Sequence, residues 1–343
     1  MARKVKFGVF ADAHVDIMHD VEERLKVFLA DCKKENVDFI IQLGDFCYPD
    51  RSKNSDDKTV SEKKMYVNKG NIVGAYKNFE KPAYHVIGNH DCDVCTKREV
   101  LDYYGADYEP YYSFDCGGFH FVVLDNNNYV IDGKEYSYEH GNYFRESRRE
   151  KKPFPYVPKA QLAWLKADLA KTKNPTIVFS HYALESTTHD NFSDEVCANA
   201  RELMQILENA PSGAYMSMYG HTHQEDIYRT GKFWHYSVNS LSNCWLGTAY
   251  PCLGRYTEEI DEKFPKIRYV VPYKDAVYAI VEMDDEGAMI KGVQSEFVGK
   301  SPAELGKYTR RDSGWTKVQR PCLITPNITD RFIPFLQAEN KNE

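Results

Sequence analysis

Five apolar segments of this 343-residue chain each end in a short polar run, and this repeated pattern constrains the fold most. The apolar segments span 4–10, 37–43, 82–87, 175–180 and 214–219. The polar runs that end them are Asp12-Ala13-His14, Gly44-Asp45, Gly88-Asn89-His90-Asp91, Ser180-His181 and Gly220-His221-Thr222-His223. Short apolar runs of this kind are typical of buried strands, and α/β proteins place ligand sites outside the carboxyl ends of their strands. The pattern therefore predicts an α/β domain with one site at those ends.

The spacing between the segments predicts how the domain is built. Val21, Leu25 and Phe28 recur at helical spacing between the first two segments, which predicts a βαβ unit with parallel strands. Alternation on both sides of Gly117-Gly118 predicts a hairpin, and two further helices are predicted over 158–169 and 193–208. We expect a single domain over 1–300 with a loop insertion at about 132–156. An irregular tail, 301–343, is expected to pack on that domain.

The polar runs carry the residue types that bind metal ions. Asp12 and His14 are two residues apart, as are His221 and His223, and on an extended segment such pairs point the same way. Carboxylate, amide and imidazole ligands together suit Mn²⁺, Fe or Zn²⁺ better than metals that need thiolates. The sequence therefore predicts a metal site at the strand ends.

In their order along the chain, DAH, GD, GNHD, H and GHTH resemble the motifs of the calcineurin-like metallophosphoesterase superfamily over about residues 5–240. The resemblance implies two mixed β-sheets in a sandwich flanked by helices, a four-layer fold with a two-metal site at the strand ends. Within the superfamily, FVVLDNNNY followed by VPKAQLAWLKADL is most similar to the bacterial phosphodiesterase-type branch.

The same resemblance implies a role for each motif residue. The ligands of one metal would be Asp12, His14 and His223. Those of the second would be Asn89, His181 and His221, with Asp45 bridging the two ions. His90 would be the catalytic histidine. Asp91 completes its motif, is grouped with His90 and is expected to orient the loop.

Such a site implies hydrolysis of a phosphate ester by a hydroxide that the two ions share, with His90 as an imidazolium that protonates the leaving alkoxide or stabilises the equatorial oxygens. A phosphodiester or nucleotide-type substrate is the main expectation. The alternative among enzymes is a phosphomonoesterase or phosphoprotein phosphatase. The alternative of another class is a binding scaffold that keeps the fold without catalysis.

Residues near the ligands are candidates for substrate contacts. Phe46 and Cys47 follow the bridging Asp45 and are predicted to line the pocket. Asn243 and Trp245 are predicted to form an aromatic wall, with ordinary packing as the equal alternative for Trp245. Three histidines outside the motifs, at positions 85, 189 and 235, are interpreted as packing or surface residues, and Cys92-Asp-Val-Cys95 as a loop.

Composition limits the partners and the compartment. The formal net charge of −7 argues against a protein that neutralises many phosphates of a long nucleic acid, and leaves a small phosphorylated substrate, possibly a nucleotide. No run reaches the roughly 18 apolar residues of a membrane span. Nine cysteines without a framework of pairs are read as reduced thiols. We therefore expect a cytoplasmic protein away from membranes, and the sequence leaves its oligomeric state open.

Overall fold

The computed structural model describes residues 2–49, 73–143, 154–185, 196–247, 251–306 and 324–335. In chain order its strands are β1 (Lys4–Phe10), β2 (Phe39–Gln42), β3 (Ala83–His85), β4 (Tyr112–Cys116), β5 (Phe119–Val123), β6 (Asn128–Ile131), β7 (Lys134–Ser137), β8 (Thr176–Ser180), β9 (Ala214–Tyr219), β10 (Asp226–Thr230), β11 (Phe233–Ser237), β12 (Asn243–Trp245), β13 (Val270–Pro272), β14 (Ala279–Asp284), β15 (Gly287–Gly292) and β16 (Arg331–Pro334). The helices are α1 (Val21–Lys34), α2 (Lys97–Tyr104), α3 (Lys159–Leu169), α4 (Ala200–Glu208) and α5 (Glu258–Lys263), and residues 73–77 are also helical.

Two six-stranded mixed sheets contain most of these strands. The first has the order β16-β15-β14-β1-β2-β3, and the second has the order β10-β11-β9-β8-β5-β4. In the first sheet β1, β2 and β3 are parallel, and in the second β5, β8, β9 and β11 are parallel. The carboxyl ends of neighbouring parallel strands lie at the same edge of a sheet. Each sheet therefore presents several loops at one edge.

The interior between the sheets is apolar and aromatic. The rings of Phe7 and Phe39 stack with centroids 4.8 Å apart, and those of Phe121 and Phe179 stack at 5.7 Å. All four side chains are buried. The first two belong to the first sheet and the last two to the second, and the Phe7 ring packs edge to face on those of Phe121 and Phe179, which joins the sheets.

Helices cover the two outer faces. Val21, Leu25 and Phe28 of α1 pack in a cluster on the first sheet, which α2 also joins. Residues of α3 and α4, among them Leu165 and Leu203, pack in a separate cluster on the second sheet. The order of layers is helix, sheet, sheet, helix, which confirms the predicted four-layer fold.

Most of the local predictions hold. The β1–α1–β2 unit is parallel, and β4 and β5 form the predicted antiparallel hairpin. The helix predicted over 158–169 is α3. In the part of the chain that the structure describes, the helix predicted over 193–208 begins only at Ala200, and 193–195 lie outside that part.

The insertion and the tail contain regular structure. The insertion at 132–156 includes β7, which pairs with β6, while 144–153 lie outside the described residues. The expected irregular tail is wrong for Arg331–Pro334, because this segment pairs with β15 as the edge strand β16. Ile333 is buried and its neighbour Phe332 is exposed, the alternation of an edge strand, which the prolines of the tail obscured. The domain limit at residue 300 stays a prediction.

Among the described residues, no helix has both the length and the apolar character that a membrane span requires.

Candidate metal centre

Two groups of metal-binding side chains meet where the parallel strands end. The first is Asp12, His14 and His223, and the second is Asp45, His181 and His221. In each group the candidate ligand atoms lie within 4.8 Å of one another. The loops after β1 and β2 come from the first sheet and those after β8 and β9 from the second. The site therefore forms where the two sheets meet at one edge.

The backbone at the ligands differs from the extended one that the two-residue spacing suggested. Positive φ angles occur at five of them: Asp12 (51°), His14 (51°), Asp45 (51°), His221 (65°) and His223 (51°). A left-handed conformation costs a non-glycine residue roughly 1–2 kcal/mol, and such strain tends to concentrate at functional sites. The members of each pair do face one site, but sharp turns direct them there.

The first group has the geometry of a cation site. His14 Nε2 and His223 Nε2 lie 2.8 Å apart, and Asp12 Oδ1 lies 3.9 Å and 3.6 Å from them respectively. Asp12 Oδ1 is buried and has no hydrogen-bond partner among the described residues. Two imidazole nitrogens and an unpartnered carboxylate oxygen around one point are a donor set that fits a divalent cation.

The amide of Asn89, which the resemblance implied as a metal ligand, lies beside the second group. His181 Nε2 lies 3.0 Å from Asn89 Oδ1 and 3.3 Å from Asp45 Oδ2. The same Asp45 oxygen lies 3.9 Å from His14 Nε2 of the first group. Asp45 therefore lies between the two groups, which is the position that a bridging ligand needs.

Backbone carbonyls orient two of the histidines. His181 Nδ1 donates to the Leu43 carbonyl oxygen at 2.8 Å, and His223 Nδ1 donates to that of Asn243 at 2.9 Å. Each bond fixes the proton of the neutral ring on Nδ1 and directs Nε2 at the cluster, as metal-binding histidines require.

Burial and close charges shift the pKa values at this edge. Burial raises the pKa of Asp12 well above its ordinary value and lowers that of His14 well below it. Burial also disfavours charge on Asp45 and His181, but their mutual attraction outweighs it. The pKa of Asp45 therefore lies well below its usual range, and that of His181 is raised to about 9. Several carboxylates and imidazoles buried together form a site that bound cations would neutralise.

A glycine makes the close contact of two loops possible. A Cβ atom at Gly88 would lie 2.0 Å from the backbone nitrogen of Asp45, so any other residue would push the bridging loop away. Gly44 has a φ of 93°, which a side chain would disfavour.

His90 lies beside the ligands. Its backbone N–H donates to Asp45 Oδ1 at 2.8 Å, and its ring centroid lies 5.8 Å from that of His14. Its Nδ1 lies 3.0 Å from Asp93 Oδ2, and its ring packs on Tyr48 at 3.7 Å between centroids. Asp93 and Tyr48 are site residues that sequence reasoning missed, although Asp93 is only three positions after His90.

Asp91 contacts backbone on the inner side of the site. Its carboxylate accepts hydrogen bonds from the N–H groups of Gly88, Asp45 and Cys47, at 2.8–3.1 Å. Burial and the charge of Asp45 raise its pKa to about 6. These bonds join the two loops, so a role in orienting them remains our proposal for Asp91.

The predicted substrate contacts divide into two groups. Phe46 and Cys47 are buried, and Phe46 packs against Phe10, Tyr76 and Tyr104, because the chain turns inwards after Asp45. This places both in the core instead of on the pocket wall. Asn243 orients His223 through its carbonyl. Trp245 is half-buried and stacks on Tyr48 at 5.5 Å between centroids.

The remaining candidates are structural or lie outside the description. His85 and His235 are buried, and His235 contacts the hydroxyls of Ser217 and Thr230. His189 lies outside the described residues. Cys92 and Cys95 are both buried.

Comparison with known proteins agrees with this geometry. The family model of the calcineurin-like phosphoesterases matches residues 5–225, well over half of the chain. The protein therefore belongs to the calcineurin-like phosphoesterase family. No curated protein matches the chain in sequence.

Comparison with solved structures finds similar chains at low sequence identity. A dimetal phosphatase from Danio rerio is 16% identical, with a TM-score of 0.56 over 87% of this chain and 99% of that one. The NAD nucleotidase of Haemophilus influenzae is 12% identical over 87% of this chain and 50% of its own, with a TM-score of 0.43. An archaeal phosphodiesterase is 11% identical over 84% of this chain and 98% of its own, with a TM-score of 0.35.

Proposed function

We propose that this protein is a phosphoesterase that depends on two metal ions and hydrolyses a phosphodiester, with a nucleotide-type substrate. The observation that carries the proposal is the pair of ligand groups, placed on either side of Asp45 with His90 beside them. Mn²⁺, Fe or Zn²⁺ would occupy the groups. Two such ions, when bound, would acidify a water molecule to near neutral pH and offset the charge of the phosphoryl oxygens.

His90 is our candidate for the general acid. Asp93 accepts the hydrogen bond of His90 Nδ1, so in the imidazolium form of His90 the proton on Nε2 is the one available to a leaving oxygen. Since the His90 ring also packs on Tyr48, its orientation is set from two sides.

A row of aromatic rings beside His90 supports the nucleotide-type substrate. Tyr48 packs between His90 and Trp245, and Lys266 Nζ lies 3.8 Å from the centroid of the Tyr48 ring. Lys266 Nζ also donates to the Pro49 carbonyl oxygen at 3.1 Å, which holds the charge there. A leaving group with a flat ring and a negative charge would gain contacts on this row. A substrate whose leaving group is a small alcohol would gain none.

The thiols support a cytoplasmic location. None of the eight described cysteines forms a disulfide, six of them are buried, and reduced thiols are the state that a reducing compartment maintains.

The test compares bis(4-nitrophenyl) phosphate with 4-nitrophenyl phosphate after the protein is stripped of metal and reloaded with Mn²⁺. We expect a higher kcat/KM for the diester. Trp245→Leu should raise KM for the diester, and the matched control Trp164→Leu, on α3, should leave it unchanged. A preference for the monoester would favour a phosphatase, and absence of turnover with both ions bound would favour a binding scaffold.

A further inference from the structure

The segment that follows β7 delivers the hydroxyl of Tyr143 to a position between Asn89 and Asp93, both in the loop that follows β3. This hydroxyl lies 3.1 Å from Asn89 Nδ2 and 2.7 Å from Asp93 Oδ1. The other oxygen of Asp93 lies 3.0 Å from His90 Nδ1. Three hydrogen bonds therefore join Asn89 to His90 through Tyr143 and Asp93.

The chemistry of the groups fixes the direction of each bond. An amide nitrogen can only donate and a carboxylate can only accept, so the hydroxyl accepts from Asn89 and donates to Asp93. Because Asn89 Nδ2 is turned towards Tyr143, its Oδ1 is turned towards His181 Nε2, 3.0 Å away. One hydroxyl thus directs the amide oxygen towards the second metal position and leaves the second Asp93 oxygen for His90.

Tyr143 is held firmly enough to do this. The N–H of His140 donates to the Cys95 carbonyl oxygen, and that of Gly141 donates to the Cys92 carbonyl oxygen, both at 3.0 Å. The Tyr143 ring stacks on Tyr138, with centroids 4.3 Å apart. The segment is therefore bound to the loop that carries Asp93, and Cys92 and Cys95 contribute their backbone to this contact.

We propose that Tyr143, from the insertion at 132–156, is a positioning residue that orients the Asn89 amide for the second metal and the Asp93 carboxylate for His90. The metal part follows from the ligand geometry alone, whereas the His90 part rests on the proposed function. The described part of the insertion that ends at Tyr143 is then part of the active centre.

The test uses Tyr143→Phe, which keeps the ring and removes both bonds of the hydroxyl. The matched control is Tyr138→Phe, which removes a hydroxyl from the stacked neighbour without changing the chain of bonds. Mn²⁺ binding to the stripped protein is measured by isothermal titration calorimetry. We expect one of the two ions to bind about 10- to 100-fold more weakly in Tyr143→Phe, and both to bind normally in the control. At saturating Mn²⁺, kcat should fall and KM should stay unchanged.

A second variant, Asp93→Asn, separates the two effects. We expect Asp93→Asn to keep both ions and to have a lower kcat. An amide has one acceptor oxygen, so it cannot accept hydrogen bonds from Tyr143 and His90 on two separate oxygens as the carboxylate does. If Tyr143→Phe fails to fold, loss of kcat with both ions retained in Asp93→Asn supports the proposal, and unchanged kcat overturns it. Unchanged binding of both ions in Tyr143→Phe would overturn it, as would equal weakening in the control. Because metal binding is measured without turnover, a failure of this proposal can be distinguished from a failure of the proposed function.

Discussion

The interior of the sandwich and its metal-binding edge are built from the same strands but differ in almost every physical respect. In the interior, rings such as Phe7 and Phe121 pack edge to face, with centroids 5.9 Å apart and no exposed surface. At the edge, the same β1 continues into Asp12 and His14, which are equally buried but polar and left-handed in backbone conformation. The interior stabilises the fold, and the edge is held in a strained arrangement by that interior.

This difference bears on how the protein tolerates several buried carboxylates close together. Asp12, Asp45 and Asp91 are all nearly inaccessible to solvent, an arrangement that costs free energy unless partners compensate. Backbone N–H groups and histidines compensate in part, and bound cations would complete the compensation. We therefore expect changes at the edge to affect metal binding and turnover, and changes in the interior to affect unfolding.

Asp45→Asn should have the largest effect, because it removes the charge that lies between the two ligand groups. We expect bound metal to fall below two ions per chain and turnover to fall on the order of a thousandfold. Metal content by mass spectrometry and a diester assay measure both effects. Asp102→Asn, on the exposed side of α2, is the control. Normal metal content in Asp45→Asn would show that this carboxylate does not bridge the groups.

His90→Ala separates chemistry from metal binding at the same edge. Both ions should remain, and kcat should fall roughly 10²- to 10⁴-fold, because a general acid is lost. The measurement is kcat at saturating Mn²⁺ together with metal content. A fully active His90→Ala protein would remove this residue from the mechanism.

Phe121→Ala applies the comparison to the interior. Loss of a fully buried ring should lower the free energy of unfolding by roughly 3–5 kcal/mol, as measured by urea denaturation. The ligand set is untouched, so metal content of the folded protein should be normal. Phe332→Ala, at an exposed position of β16, should change stability by less than about 0.5 kcal/mol. Equal effects of the two substitutions would contradict the division between interior and edge.

The smallest effect is expected at His235, which lies away from the metal ligands. Its titration should make the free energy of unfolding depend on pH. Burial lowers its pKa to about 3, against roughly 6.5 in an unfolded chain. The unfolded chain therefore takes up a proton first, and stability present above pH 6.5 is lost as pH falls towards 3. At pH 4.5 the loss should be roughly 2–3 kcal/mol for this residue.

Urea denaturation of the metal-free protein at pH 7 and pH 4.5 measures this loss. The variant His235→Asn should have a smaller difference between the two pH values than the natural chain. An identical difference in both proteins would show that His235 does not titrate in this way.

Much of the fold could be predicted because periodicity and chain order are local signals. The apolar run 4–10, the helical spacing of Val21 and Leu25, and the hairpin at Gly117-Gly118 all correspond to observed elements. The strand β16 was missed because its pairing with β15 is a long-range contact and its prolines are typical of irregular segments.

The site was predictable as far as its motifs extend. Ligand types at the strand ends indicated which residues meet, but the left-handed turns that bring them together carry no signal of their own. Tyr143 and Tyr48 join the site through tertiary contacts, and no sequence spacing relates Tyr143 to Asn89. Phe46 follows Asp45 directly, yet the direction in which the chain turns after Asp45 decides that it enters the core.

The most direct test of the account is a titration of the metal-free protein with Mn²⁺, following bound ions per chain and diester turnover in the same samples. We predict that two ions bind per chain and that turnover appears as the second site fills. Binding of one ion or none, or turnover that persists in excess chelator, would contradict the central claim that this edge is a dinuclear catalytic centre.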